Sequence, residues 1–238
     1  MHWDFKQWNH IFKLDPDRDI SDELLERVCL SGTDAIIVGG SSGVTFDNTV
    51  DLLSRIRRFE VPCALEISDQ EAIVPGFDFF FIPMVLNAGD PQWIIGHHQQ
   101  ALREYGAIMD WSQVVTEGYV ILNEQSTAAR VTSANTALDT RDVEAYARLA
   151  DRLLHCPIFY MEYSGTFGDM QLTARIKELL KDARLFYGGG IDSPEKAYDA
   201  ALAAHTVVVG NAVYEQPEQA LATVQAVREA KASAVNKQ

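Results

Sequence analysis

Eight short apolar runs alternate with helix-period segments along the chain, and this alternation limits the fold more than any other feature. The runs are His10–Leu14, Ala35–Gly39, Cys63–Ile67, Phe77–Pro83, Gly118–Leu122, Pro157–Glu162, Leu185–Gly188 and Thr206–Gly210. Most are continuously apolar, the pattern of parallel strands covered on both faces. Eight such strands, each leading into a helix, predict an α/β fold of the (β/α)8 TIM-barrel type. A length of 238 residues suits one barrel, so a single domain spanning residues 1–238 is expected.

Helix starts are marked by Ser21 before Asp22 and Glu23, Thr140 before Asp142 and Glu144, and Ser193 before Pro194. The segment 140–154 places Val143, Tyr146, Ala147, Ala150, Leu153 and Leu154 on one core-facing stripe. A last helix is predicted over about residues 217–231, with a frayed tail at 232–238. The segment Asn123–Thr140 lacks strong periodicity and reads as a long loop or a short irregular helix. Between Ile67 and Phe77 the chain has room for no full packing helix. The third helix is therefore expected to be missing or replaced by a loop, leaving one wall of the barrel open as a groove.

Thirty-four acidic against twenty basic side chains give a formal net charge of −14, which excludes nucleic acid as a partner. An anionic substrate must then be held locally, by backbone N–H groups, a lysine or a metal ion. The longest apolar stretch, Phe77–Leu86, is interrupted by Asp78 and Pro83 and falls far short of the ~20 residues of a membrane span. The first eight residues show no secretory signal, and Cys29, Cys63 and Cys156 sit in apolar contexts without a CxxC pair. Reduced core thiols and a cytoplasmic location are expected.

In a barrel of this type the chemistry lies at the C-terminal ends of the strands. Two of those ends, Leu185–Gly190 and Thr206–Asn211, run from apolar residues straight into glycine and then into a helix. Such ends bring backbone N–H groups and a helix N-terminus to an anion, so they read as a phosphate site. At the first strand end, Lys13 and Asp15 alternate and point to the same side. They suit a phosphate and Mg²⁺, or else form an ion pair topping the core. Gly39-Gly40-Ser41-Ser42-Gly43 is either an anion- and metal-binding nest or a plain turn. Tyr160, Glu162 and Ser164 alternate at the sixth strand end. Glu162, on a buried strand, is a hydroxyl-orienting group or general base, or a structural carboxylate paired with lysine or tyrosine. Tyr160 and Tyr163 read equally as core or ligand. The adjacent His97 and His98 point about 100° apart on a helix and do not form a metal pair.

Several longer stretches carry a resemblance: Phe-Lys-Leu-Asp-Pro, Gly-Thr-Asp-Ala-Ile-Ile-Val-Gly-Gly-Ser, Ala-Ile-Val-Pro-Gly-Phe-Asp, Phe-Ile-Pro-Met-Val-Leu-Asn, Tyr-Met-Glu-Tyr-Ser-Gly, Phe-Tyr-Gly-Gly-Gly-Ile and Val-Val-Gly-Asn-Ala-Val-Tyr-Glu. In this order they resemble the geranylgeranylglyceryl/heptaprenylglyceryl phosphate synthase family over nearly the whole chain, in particular its bacterial, heptaprenyl members. The resemblance implies a Mg²⁺-dependent prenyltransferase. It would join the 3-hydroxyl of sn-glycerol 1-phosphate to a polyprenyl diphosphate, expected to be heptaprenyl. It also implies a homodimer. Lys13 would contact glycerol phosphate, and Asp15 and Ser41 would bind Mg²⁺. Tyr160, Met161, Glu162, Tyr163, Ser164 and Gly165, with Gly190, Gly210 and Asn211, would hold sn-glycerol 1-phosphate.

The prenyl chain needs an apolar groove, which the thin wall near residues 67–77 supplies. A helix over Pro91–Tyr105 would limit its depth, with Ala101 and Tyr105 sharing a face as a chain-length ruler or as ordinary packing. Two other readings of the phosphate loops are a sugar-phosphate isomerase or epimerase barrel and a non-catalytic phosphometabolite-binding barrel.

Overall fold

Each apolar run becomes a strand whose alternate side chains pass inward and outward. In the computed structural model, which describes residues 3–235, eight parallel strands close into a barrel in sequence order. They are β1 (His10–Leu14), β2 (Ala35–Val38), β3 (Cys63–Glu66), β4 (Phe79–Val85), β5 (Val114–Ile121), β6 (Ile158–Glu162), β7 (Arg184–Gly188) and β8 (Thr206–Val209). The register places Lys13 beside Ile37, Ile37 beside Ala64 and Tyr119 beside Tyr160, and Ile11 beside Val208 closes the ring.

Inward and outward residues build two separate cores. Ile11, Ile37, Ala64, Phe81, Ile158 and Phe186 fill the barrel interior. Phe12, Leu14, Ile36, Val38, Phe159 and Leu185 face the helices. The bottom is plugged by a short 3₁₀ turn, Phe5–Gln7, and by Trp8, whose ring meets Phe79 edge-on at 5.5 Å. The Thr206 hydroxyl donates to the Trp8 carbonyl at 2.7 Å and ties this plug to β8.

The helices are α1 (Asp22–Leu30), α2 (Phe46–Ile56), α3 (Gly96–Tyr105), α4 (Thr127–Thr132), α5 (Thr140–Arg148), α6 (Met170–Leu179), α7 (Pro194–Ala203), α8 (Ala212–Glu215) and α9 (Pro217–Val235). Ser21 and Ser193 cap α1 and α7 by accepting from the N–H groups of Leu24 and Lys196. Asp139, one residue before the expected start, caps α5 in a reciprocal pair with Asp142. The poorly periodic segment after β5 contains the short helix α4. Among the described residues no helix is long and apolar enough to cross a membrane.

Between β3 and β4 there is only a 3₁₀ turn, Gln70–Ala72. No helix covers the outer face of β4, and Phe80, Ile82 and Met84 stay only half-buried there. The helix expected over Pro91–Tyr105 is a 3₁₀ turn, Pro91–Trp93, followed by α3.

Three expectations need correction. β4 runs over Phe79–Val85, two residues later than expected, and β5 starts at Val114 rather than Gly118. Pairing of Phe80 with Val114 and of Glu117 with Ile158 holds the polar residues Thr116 and Glu117 in strand. The 140–154 stripe does not run straight, because α5 passes into a π-helical turn, Leu149–Leu153. The wider turn leaves Val143, Ala147 and Ala150 buried but exposes Leu153 (70%) and Leu154 (40%). The last helix continues to Val235; residues 236–238 of the tail lie outside the described residues.

The same π turn buries Asp151, whose carboxylate accepts from the N–H groups of Lys181, Asp182 and Ala183 at 3.2, 2.9 and 2.8 Å. These bonds fix the entry to β7, which carries one of the glycine loops. Asp151→Ala strands three backbone donors and is expected to lower unfolding stability by about 2–4 kcal/mol. Urea denaturation of the two proteins measures this directly.

Candidate active site

The strand ends open into one cavity of about 1530 Å³, larger than the roughly 300–1,000 Å³ of ordinary small-molecule pockets. At one end lie the glycine loops. Gly188, Gly189 and Gly190 follow β7, and Gly210 and Asn211 follow β8 at the start of α8. Gly190 has φ +60°, and a Cβ there would fall 2.2 Å from the Phe167 nitrogen, so the β7 and β6 loops touch only because the residue has no side chain. The Asn211 side chain accepts from Arg18 at 3.1 Å.

At the other end the cavity passes over the bare face of β4, between Ile67–Gly76 and α3. Ile82, Met84, Ala101, Leu102, Tyr105 and Ile108 line this apolar arm. Ala101 and Tyr105 thus face the groove, as their four-residue spacing suggested. The site therefore joins a polar, glycine-rich end to a long hydrocarbon-lined one.

Between the two ends lies a cluster of charges inside the barrel. Lys13 donates to Glu66, which is the lysine's ion-pair partner in place of the Asp15 considered from sequence. Burial works against the Lys13 charge, yet Glu66 and Glu162 outweigh it and its pKa stands above the ordinary lysine value. The Lys13 ammonium also lies 5.8 Å above the Tyr160 ring. Glu162 accepts from the Tyr119 hydroxyl at 2.6 Å and from the Ser164 N–H at 2.5 Å. Burial raises its pKa, while Lys13 and these two hydrogen bonds oppose the shift. Tyr119 stacks on Tyr160 with ring centres 4.5 Å apart, which orients the hydroxyl that Glu162 uses.

Tyr160, Glu162, Ser164 and Gly165 all line the cavity, as do Lys13, Asp15 and Ser41. Met161 and Tyr163 do not. Strand alternation sends their side chains into the core against the helices, so a contact from either with ligand comes through its main chain. Tyr163 packs on Tyr187 instead, with ring centres 5.8 Å apart. His97 packs against Trp93, and His98 bonds the Pro83 carbonyl at 3.1 Å. The three cysteines are free and buried, and burial pushes the Cys29 thiol up to about 12.

Asp15 and Ser41 flank Gly40, where a Cβ would lie 2.5 Å from the Asp15 carboxylate. The absent side chain leaves the carboxylate and the loop within reach of one ion. One carboxylate, one hydroxyl and loop carbonyls are hard oxygen donors, and so small a set fits Mg²⁺, which takes its remaining ligands from water or phosphate. Among the described residues no group of three His, Cys, Asp or Glu forms a metal site by itself.

Three participants were not singled out from sequence. Glu66, Glu117 and Tyr119 all turn into the barrel interior. Their signal was an alternation, Val115-Glu117-Tyr119-Ile121, hidden while β5 was begun at Gly118.

Phosphate loops and an open apolar groove in one cavity define a barrel suited to a small phosphate ester and a long hydrocarbon chain together. The chain belongs to the PcrB family, whose model matches residues 3–228. It is 55% identical over 226 residues to the heptaprenylglyceryl phosphate synthase of Geobacillus kaustophilus, covering 95% of both chains. It is 57% identical over 221 residues to that of Anoxybacillus flavithermus, covering 93% of this chain and 96% of the relative. Among solved structures, the (S)-3-O-geranylgeranylglyceryl phosphate synthase of Thermoplasma acidophilum, in complex with sn-glycerol-1-phosphate, has the same fold. Its TM-score is 0.82 at 24% identity, over 93% of this chain and 94% of that one.

Tyr119→Phe keeps the ring stack and removes one hydrogen bond from Glu162. Turnover is expected to fall about ten-fold, as a lost bond to a charged group of about 1.4 kcal/mol implies. Steady-state kinetics alongside a melting curve separate this from loss of fold.

Proposed function

We propose that the chain is a prenyltransferase joining the 3-hydroxyl of sn-glycerol 1-phosphate to a heptaprenyl (C35) diphosphate, with release of diphosphate. The observation that carries this reading is the single cavity in which the glycine loops and the apolar groove meet at Lys13 and Glu162. A sugar-phosphate isomerase has no use for such a groove. The family relatives named above carry this activity in their names.

In this reading the loops at Gly188–Gly190 and Gly210–Asn211 hold the phosphate by backbone N–H groups, aided by Lys13. Ser164 and Gly165, with Tyr160 and the main chain of Met161 and Tyr163, complete the glycerol phosphate pocket. The glycerol is thereby held with its free hydroxyl beside C1 of the prenyl chain, which is catalysis by positioning. The allylic C–O bond breaks with its electron pair leaving on diphosphate. The hydroxyl oxygen forms the new C–O bond, and Glu162 takes the hydroxyl proton. Asp15 and Ser41 would hold Mg²⁺, which when bound would supply positive charge to the diphosphate leaving group. The unit is a single domain acting in the cytoplasm as a homodimer, which sedimentation of the purified protein checks.

The defining experiment mixes protein, Mg²⁺ and labelled sn-glycerol 1-phosphate with C15, C20 and C35 prenyl diphosphates. Product from the 1-phosphate but not from sn-glycerol 3-phosphate, best with C35 and abolished by EDTA, is the expected result. Glycerol phosphate binding without turnover of any donor would reduce the protein to a phosphate-binding barrel.

Glu162→Gln is expected to lower kcat by about 10²-fold or more while KM for sn-glycerol 1-phosphate stays within a few-fold. Near-normal turnover would remove Glu162 as the base. Ala101→Trp fills the groove beside Tyr105, so the preferred donor should shift from C35 towards C20 or C15. An unchanged chain-length profile in a competition assay would mean that the depth limit lies elsewhere.

A further inference from the structure

Three carboxylates and one ammonium share the interior of this barrel, and their hydrogen bonds are unequal. Glu66, on β3, accepts from Lys13 on β1 with one oxygen; its other oxygen is buried without a partner. Glu162, on β6, accepts two hydrogen bonds. Glu117, on β5, is wholly buried at 0% exposure, and neither of its oxygens has a hydrogen-bond partner.

Glu117 sits on the inward face of β5, two residues below Tyr119, beside Pro83 of β4 and Ile158 of β6. The charged and titratable groups that act on it or feel it are Lys13, Glu66, Glu162, Tyr160 and Cys156. β4, Phe79–Val85, contributes no titratable side chain. An ionised carboxylate with neither ion pair nor hydrogen bond, facing two other carboxylates, is strongly disfavoured in such a place. Lys13 is already committed to Glu66. The proton therefore stays on Glu117.

We propose that Glu117 is a positioning residue that remains a neutral acid in the working enzyme, so that Lys13 faces two carboxylates rather than three and the site admits the glycerol phosphate dianion. The proposal rests on the prenyltransferase reading above. Burial first, then the charge of Glu66, holds the Glu117 pKa well above the ordinary carboxylate value. As pH climbs through that raised pKa, Glu117 ionises and the interior gains a negative charge beside Lys13, Glu66 and Glu162. Binding of the dianion then weakens, whereas Glu162, hydrogen-bonded to Tyr119 and Ser164, keeps its role in turnover. The effect thus belongs in KM for glycerol phosphate more than in kcat.

Glu117→Gln preserves shape and neutrality but cannot ionise. KM for sn-glycerol 1-phosphate is measured from about pH 7 to about pH 10, where the phosphate is a dianion throughout. Across the pH at which Glu117 ionises, read from the loss of its carboxylic-acid C=O infrared band, wild-type KM is expected to rise about ten-fold, as one added charge in a medium of effective dielectric constant about 20 implies. KM of Glu117→Gln should match the wild type at neutral pH and stay flat. A rise shared by both proteins, a wild-type KM that does not move while that band is lost, or a folded variant inactive at neutral pH overturns the proposal. Infrared titration of the wild-type protein supplies a readout independent of turnover and of the variant's folding. It should show a buried carboxylic-acid C=O band at neutral pH that disappears as pH rises, and absence of that band also overturns the proposal. Failure of the wild type to turn over any prenyl diphosphate would instead remove the activity on which the proposal rests, and leave the infrared result standing.

Discussion

A closed ring of eight strands offers each residue one of two destinations, the barrel interior or the space beneath the helices, and the rest of this molecule follows from that division. Lys13, Glu66, Glu117, Tyr119, Tyr160 and Glu162 are neighbours because strand alternation turns them all inward. The side chains of Met161 and Tyr163 are turned away from the site for the same reason, although they lie one residue away from members of it. The ring also needs a cover on its outer face. Where the β3–β4 connection is only a 3₁₀ turn, that cover is missing and the apolar face of β4 becomes the floor of a groove. The defect in the barrel is thus the feature that lets a hydrocarbon chain lie against it.

The polar end of the cavity rests on close approaches. In the proposed reading, backbone N–H groups at the ends of β7 and β8 take an anion without side-chain charge, which suits a chain whose overall balance is strongly acidic. Inside, the charges are arranged so that each has a different degree of satisfaction. Glu162 holds two donors, Glu66 holds one lysine and Glu117 holds none. Burial raises the pKa of both Glu162 and Glu117, and the hydrogen bonds that Glu162 receives oppose the rise there whereas Glu117 has none to oppose it.

Legibility of the sequence followed the range of the forces involved. Strand number, parallel order, the missing third helix and the glycine loops were readable because each depends on a local run or on chain length between runs. Helical spacing put Ala101 and Tyr105 on one face, and both line the groove. The start of β5 was not, since Thr116 and Glu117 look polar and only pairing with β4 and β6 makes them strand. Nor was the π turn at Leu149–Leu153, which exposes two leucines that a regular helix would bury. Nothing local marks Glu66 as the partner of Lys13, which lies 53 residues away in sequence.

By itself the sequence determined the class of fold, the position of the glycine loops, the open wall and the family to which the chain belongs, because periodicity, glycine placement and motif order are properties of the chain taken in line. Tertiary structure decided which of the buried polar groups meet. It paired Lys13 with Glu66, gave Glu162 its Tyr119 donor and left Glu117 without a partner. Those outcomes depend on the register between strands and on the closure of the ring, which bring distant residues within a few ångströms of one another, and no local pattern encodes such distances.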